Sequence, residues 1–147
     1  MPMTVATLIL AGISLVLQNV LMVRITQSVS TVIVTLVINS SVGLTALLLI
    51  LISRNGLAGL AEVAGAIRPW AVLPGLLGSF FVFAGIMGYQ RLGAAPTIAV
   101  LVASQLLAGL AFDAAISGKT MAGFSLSQLV GALLLVSGAV LVAGRNA

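Results

Sequence analysis

The stretch "STVIVTLVINSSVGLTALLLILI", Ser30 to Ile52, contains no charged residue. An α-helix needs about 20 mostly apolar residues to cross the hydrocarbon of a bilayer, so this run is long enough to span. A transmembrane β-strand would instead alternate apolar and polar residues over about ten positions. Here the apolar character is continuous. Helices and closed barrels are the only backbones that satisfy their own hydrogen bonds in lipid, so the segment predicts a membrane-spanning helix.

Four more segments follow the same rule. Residues 3–23 end at Arg24 and the polar "TQS", and the Ser30–Ile52 span is stopped by "SRNG" (Ser53 to Gly56). Residues 71–90 are entered through "RPW" (Arg68 to Trp70), with Pro74 bending the first turns. Pro96 opens a span over 96–115, since proline suits a first helical turn, and the last covers 126–143. The expected fold is an all-α integral membrane protein, a single transmembrane domain of five spans over residues 1–147.

Composition agrees. The chain is 61% hydrophobic and 5% charged, with a mean hydropathy of +1.33, whereas soluble domains carry about 25% charged residues. The six basic residues stand singly, at Arg24, Arg54, Arg68, Arg91, Lys119 and Arg145. They form no patch that would track nucleic-acid phosphates. With no Cys and no His, disulfides, zinc sites and imidazole relays are excluded, and no cofactor or metal is expected. No nucleophile, base and metal-ligand constellation suggests an enzyme. The N-terminal stretch lacks the basic n-region of a signal peptide, and its apolar run is too long for one.

The longest connection, "RNGLAGLAEVAGAIRPW", places Leu57, Leu60, Val63 and Ile67 at helical spacing. It predicts a short helix lying in the membrane interface, with Glu62 towards water or headgroups and Trp70 at the boundary where indoles collect. Five spans put the termini on opposite sides. Arg54, Arg68 and Lys119 then share one side and Arg24, Arg91 and Arg145 the other. Loop Lys/Arg bias sets orientation, and three against three sets none. Insertion in both orientations is the expectation, with opposed copies pairing antiparallel.

Small residues mark packing faces: Gly75, Gly78, Gly85 and Gly88 in the third span, Ala95, Ala99 and Ala103 in the fourth, and Ser127, Gly131 and Gly138 in the fifth. Polar residues inside spans are more telling. Thr4, Thr7, Ala11, Ser14 and Gln18 form one stripe, beside Asn19; Thr31, Thr35 and Asn39 form another; Thr97, Ser104 and Ala108 form a third, beside Gln105. Such groups either tie helices together or line a midplane cavity of the kind transporters use. Ser14, Gln18, Asn19, Asn39, Ser104 and Gln105 are the candidate lining residues. A lining of carboxamides and hydroxyls suits a neutral or zwitterionic solute or an amphiphile. Tyr89, Gln90 and Arg91 are a candidate gate where the third helix exits. Asp113 either sits at the interface, paired with Lys119, or takes up and releases a proton during transport.

The segments "LQNVLMVRITQS", "INSSVG" and "LPGLLGSFFVFAGIMGYQRLGAAPTIAVLVASQLLAGLAFD" resemble the YdcZ-like inner-membrane proteins of the drug/metabolite transporter superfamily. The resemblance covers nearly the whole chain and is most specific from Leu73 to Asp113. It implies residence in a bacterial inner membrane and a five-helix half-transporter, paired antiparallel with a second copy to give ten helices. Larger relatives carry two inverted halves in one chain, and no internal repeat is visible here. Small multidrug-resistance relatives place a glutamate midway along their first helix. This first helix has no acid, which argues against cationic drug efflux by the same chemistry. The expectation is therefore a secondary transporter, an exporter of a small metabolite or amphiphile, working by alternating access as a homodimer in lipid. Two alternatives stay open: a small dual-topology ion channel, edged by Ser79, Phe80, Phe81 and Phe83, and a non-transporting assembly subunit.

Overall fold

The computed structural model describes residues 2–117 and 125–144. The described residues are helical apart from short connections: α1 (Pro2–Thr26), α2 (Val32–Ala66), a 3-10 turn (Pro69–Ala71), α3 (Val72–Arg91), α4 (Ala94–Ser117) and α5 (Leu126–Gly144). Five helices among them are long and apolar enough to cross a membrane. The all-helical class and the five spans thus agree with the sequence reading. The chain divides into two compact units, Met1–Met87 and Gly88–Ala147.

In the first unit, α1 runs three residues past the expected stop at Val23. Arg24 lies in its last turn, where a cation is favoured by the negative end of the helix dipole. A single charge does not end a helix once its side chain reaches the headgroups. The α1–α2 pair is closed by hydroxyls. Thr26 Oγ1 bonds to Met22 O and to Thr35 Oγ1, each at 2.8 Å. Thr26 has one hydroxyl hydrogen, and giving it to the Met22 carbonyl leaves Thr35 as donor in the second bond. Thr35 is fully buried and Met22 nearly so. Thr31 caps α2, its side chain accepting from Val34 N.

The sequence places the end of the second span at Ile52, but α2 continues through "SRN" and breaks at Gly56, with φ 60° and ψ −156°. Polar side chains do not oppose helix outside the hydrocarbon; a backbone conformation open essentially only to glycine does. The bend brings the following turn close. A Cβ on Gly59 would lie 2.9 Å from Asn55 Cβ and 3.0 Å from Leu51 Cγ. Beyond Gly56, residues 57–66 form the short helix expected from Leu57, Leu60 and Val63, with Ile67 as its C-cap. Glu62 and Trp70 are exposed. Pro74 falls in the first turn of α3, where its missing N–H leaves no helical bond unmade.

In the second unit, α3 turns into α4 through Leu92 and Gly93, the latter at φ 88°. Gly88 and Thr97 pack across this turn so tightly that a Cβ on Gly88 would lie 2.5 Å from Thr97 Cγ2. The α4–α5 pair buries Ala103, Ala132 and Ala139, the small side chains that let helices approach in lipid. Ser125 and Gln128 close the start of α5 reciprocally: Gln128 N donates to Ser125 Oγ (3.3 Å), and Ser125 N donates to Gln128 Oε1 (3.0 Å). This is a capping box. Lys119 and Arg145, and with them the expected Asp113–Lys119 pair, lie outside the described residues.

Candidate functional site

Among the described residues, each unit holds a cleft that gathers candidate polar side chains. The first lies between α1 and α2, has a volume of about 400 Å³, and brings Ser14, Gln18 and Asn39 together. Gln18 Nε2 donates to Asn39 Oδ1 at 3.1 Å, with Met22 Sδ 3.9 Å from the same nitrogen. A carboxamide carries one acceptor oxygen and two N–H donors. The bond uses one end of each amide. Among the described residues, Gln18 Oε1 and Asn39 Nδ2 have no protein partner. Flipping both amides preserves this inventory of one oxygen and one amino group. Around them Leu17, Leu21, Ile25, Ile38 and Val42 supply hydrocarbon walls. Ser14 Oγ donates to Leu10 O at 2.8 Å, so towards the cleft it offers an acceptor.

Asn19 is not part of this lining. It is buried, its Nδ2 donates to Leu15 O at 3.0 Å, and its Oδ1 lies 3.2 Å from where a Cβ on Gly85 would stand. Neighbouring positions on a helix point about 100° apart, so Gln18 faces α2 while Asn19 packs on α3. Gly85 makes room for it.

The second cleft lies between α4 and α5, has a volume of about 460 Å³, and is lined by Gln105, Gly109, Asp113, Ser127, Gln128 and Gly131, with apolar walls of Leu106, Leu110 and Ala132. Gln105 and Asp113 are thus brought together. Ser104 is exposed and returns its hydroxyl to Leu101 O at 2.9 Å; it lines neither cleft. Ser127 and Gln128 are not among the residues that sequence reasoning selects as lining. Their signal was the "SLSQ" capping pattern, which fixes Gln128 in the first turn of α5.

The three gate candidates are spread around the end of α3: Tyr89 is buried, whereas Gln90 and Arg91 are exposed. Phe80 is largely exposed, as is Ser79, and neither lines a cleft.

A family model described as "Putative inner membrane exporter, YdcZ" matches residues 3–141. The chain is 52% identical over 144 residues to "Inner membrane protein YdcZ" of Escherichia coli (strain K12), covering 98% of this chain and 97% of that protein. No solved structure matches. The family description names membrane export and no enzymatic reaction. With its five apolar helices, the chain therefore belongs to the YdcZ family and is a multi-pass protein of the inner membrane.

Proposed function

We propose that this chain is one half of a secondary exporter. Two copies insert in opposite orientations, pair antiparallel to give ten helices, and open the α1–α2 cleft to each side of the membrane in turn. The observation that carries the reading is the Gln18–Asn39 pair, set among hydrocarbon walls in a cleft of about 400 Å³. That volume lies at the lower end of the range of about 300–1,000 Å³ typical of small-molecule pockets. One amide oxygen and one amino group beside apolar walls suit a small neutral or zwitterionic amphiphile. Such a solute exchanges hydrogen bonds with the amides and lays its hydrocarbon on Leu17, Leu21 and Ile38. The family description supports export, and the three-against-three balance of basic residues supports dual insertion.

The test is a flux screen. Proteoliposomes containing the purified protein are loaded with a mixture of cell metabolites, and released solutes are identified by mass spectrometry. Saturable release of one solute class is expected, falling at least tenfold in Gln18→Ala and Asn39→Ala proteins that remain folded. Unchanged release in both variants sinks the cleft assignment. Unitary currents from the same protein in planar bilayers would identify a channel instead.

A further inference from the structure

We propose that the α4–α5 cleft is a binding site for a protonated amine, with the Asp113 carboxylate as counter-charge. The site is built from other helices than the α1–α2 cleft and does not depend on transport.

Asp113 and Glu62 are the two acidic residues of the chain. Glu62 stands on the short helix beyond Gly56, which leaves Asp113 as the acid of a spanning helix. Among the described residues, neither Asp113 nor Gln105 has a hydrogen-bond or ion-pair partner, yet both line the same cleft. Polar groups within a membrane protein are costly unless paired. At the start of α5, Gln128 Oε1 and the Ser127 hydroxyl are engaged with Ser125, while the Gln128 amino group still faces the cleft without a bond to Asp113. Arg91 stands near the opposite end of α4, about 30 Å away along a helix rising about 1.5 Å per residue.

The glycines point the same way. Small residues in membrane helices usually let a neighbouring backbone approach. Within the described residues of one chain, Gly109 and Gly131 do not serve that purpose: a Cβ on either would meet no atom within 4 Å. Both line the cleft, so both keep its width. Closer packing of the same pair is left to Ala103, Ala132 and Ala139.

The chemistry selects an organic cation over a metal ion. Calcium takes 6–8 oxygen ligands and magnesium demands octahedral coordination, whereas this cleft offers one carboxylate, two carboxamides and the Ser127 hydroxyl, at most five side-chain oxygens. A cleft of about 460 Å³ is also far larger than a bare ion. An ammonium group donates to Asp113 in a charge-assisted bond, while the body of the ligand lies on Leu106, Leu110 and Ala132. Gln105 stands two helical turns deeper, about 12 Å along α4. It is placed to meet a polar group at the far end of a longer amine.

The probe is benzylammonium, with benzyl alcohol as its uncharged counterpart, titrated calorimetrically into the full chain in phosphatidylcholine nanodiscs. Benzylammonium is expected to bind at least tenfold more tightly than benzyl alcohol. Asp113→Asn should erase that preference, and Gly131→Leu should abolish the tight binding of benzylammonium by filling the cleft. Gln18→Ala, in the other cleft, should leave the affinity for benzylammonium unchanged, so failure here is distinguishable from failure of the exporter reading. Equal affinity for the two probes, or a preference that survives Asp113→Asn, overturns the proposal. A tenfold gain in amine affinity in Lys119→Gln would show that Lys119 already serves as the counter-charge, and would overturn it too.

Discussion

Gln18 on α1 donates to Asn39 on α2 across 3.1 Å, joining two helices through side chains 21 positions apart. Hydrogen bonds between membrane helices contribute about 0.6 kcal/mol on average and at most about 1.7 kcal/mol. A double-mutant cycle of Gln18→Ala and Asn39→Ala should therefore give a coupling energy of that size for unfolding in mixed micelles. Strictly additive losses would mean that the pair does not form.

Gly88→Ala should destabilise the second unit. Its Cβ would fall 2.5 Å from Thr97 Cγ2 and 2.8 Å from Thr97 Oγ1, and overpacking of this kind costs about 1–3 kcal/mol. Thr97→Ala removes both clashing atoms and should restore most of the loss when combined with it. Gly78→Ala, where a Cβ meets nothing within 4 Å, should be neutral or gain up to about 1 kcal/mol from helix propensity. Thermal unfolding in detergent compares the variants.

Gly56→Ala should straighten α2 or strain it by about 1–3 kcal/mol, because φ 60° with ψ −156° is a glycine conformation. The chain has no cysteine, so spin labels can be placed cleanly at Leu47→Cys and Ala64→Cys. A straight helix would hold these Cα atoms about 25 Å apart. The parent should read clearly shorter than this; a parent distance of about 25 Å would contradict the bend.

A reporter fused after Ala147 should be active on both sides of the membrane. Arg24→Ala changes the balance of basic residues to three against two. It should bias insertion towards the orientation that keeps Arg54, Arg68 and Lys119 in the cytoplasm, carrying the C-terminus outward. An exclusively one-sided signal from the parent would refute dual insertion.

The spans were legible because a run of about 20 apolar residues has few alternatives to a membrane helix. Where α2 bends was less so: "SRNG" looks like a stop, yet three of its residues are helical and only the backbone of Gly56 departs. Helix rotation was harder still. "QN" at 18–19 and "SQ" at 104–105 each offer two polar neighbours about 100° apart. Packing chose between them, turning Asn19 onto Gly85 and Gln18 towards α2, and Gln105 into a cleft that Ser104 does not line. Hydropathy is blind to that choice, since it depends on the shape of the neighbouring helix.

The bend at Gly56 also reconciles the protein with the thickness of its solvent. Unbroken, the 35 residues of α2 would measure about 52 Å, longer than the roughly 40–45 Å of a whole bilayer with its headgroups. Helices that overshoot must tilt, kink or thicken the surrounding lipid. By turning residues 57–66 aside, one glycine shortens the crossing to 24 residues, about 36 Å. The turn at that glycine thus fits a 35-residue helix to a bilayer that it would otherwise overshoot.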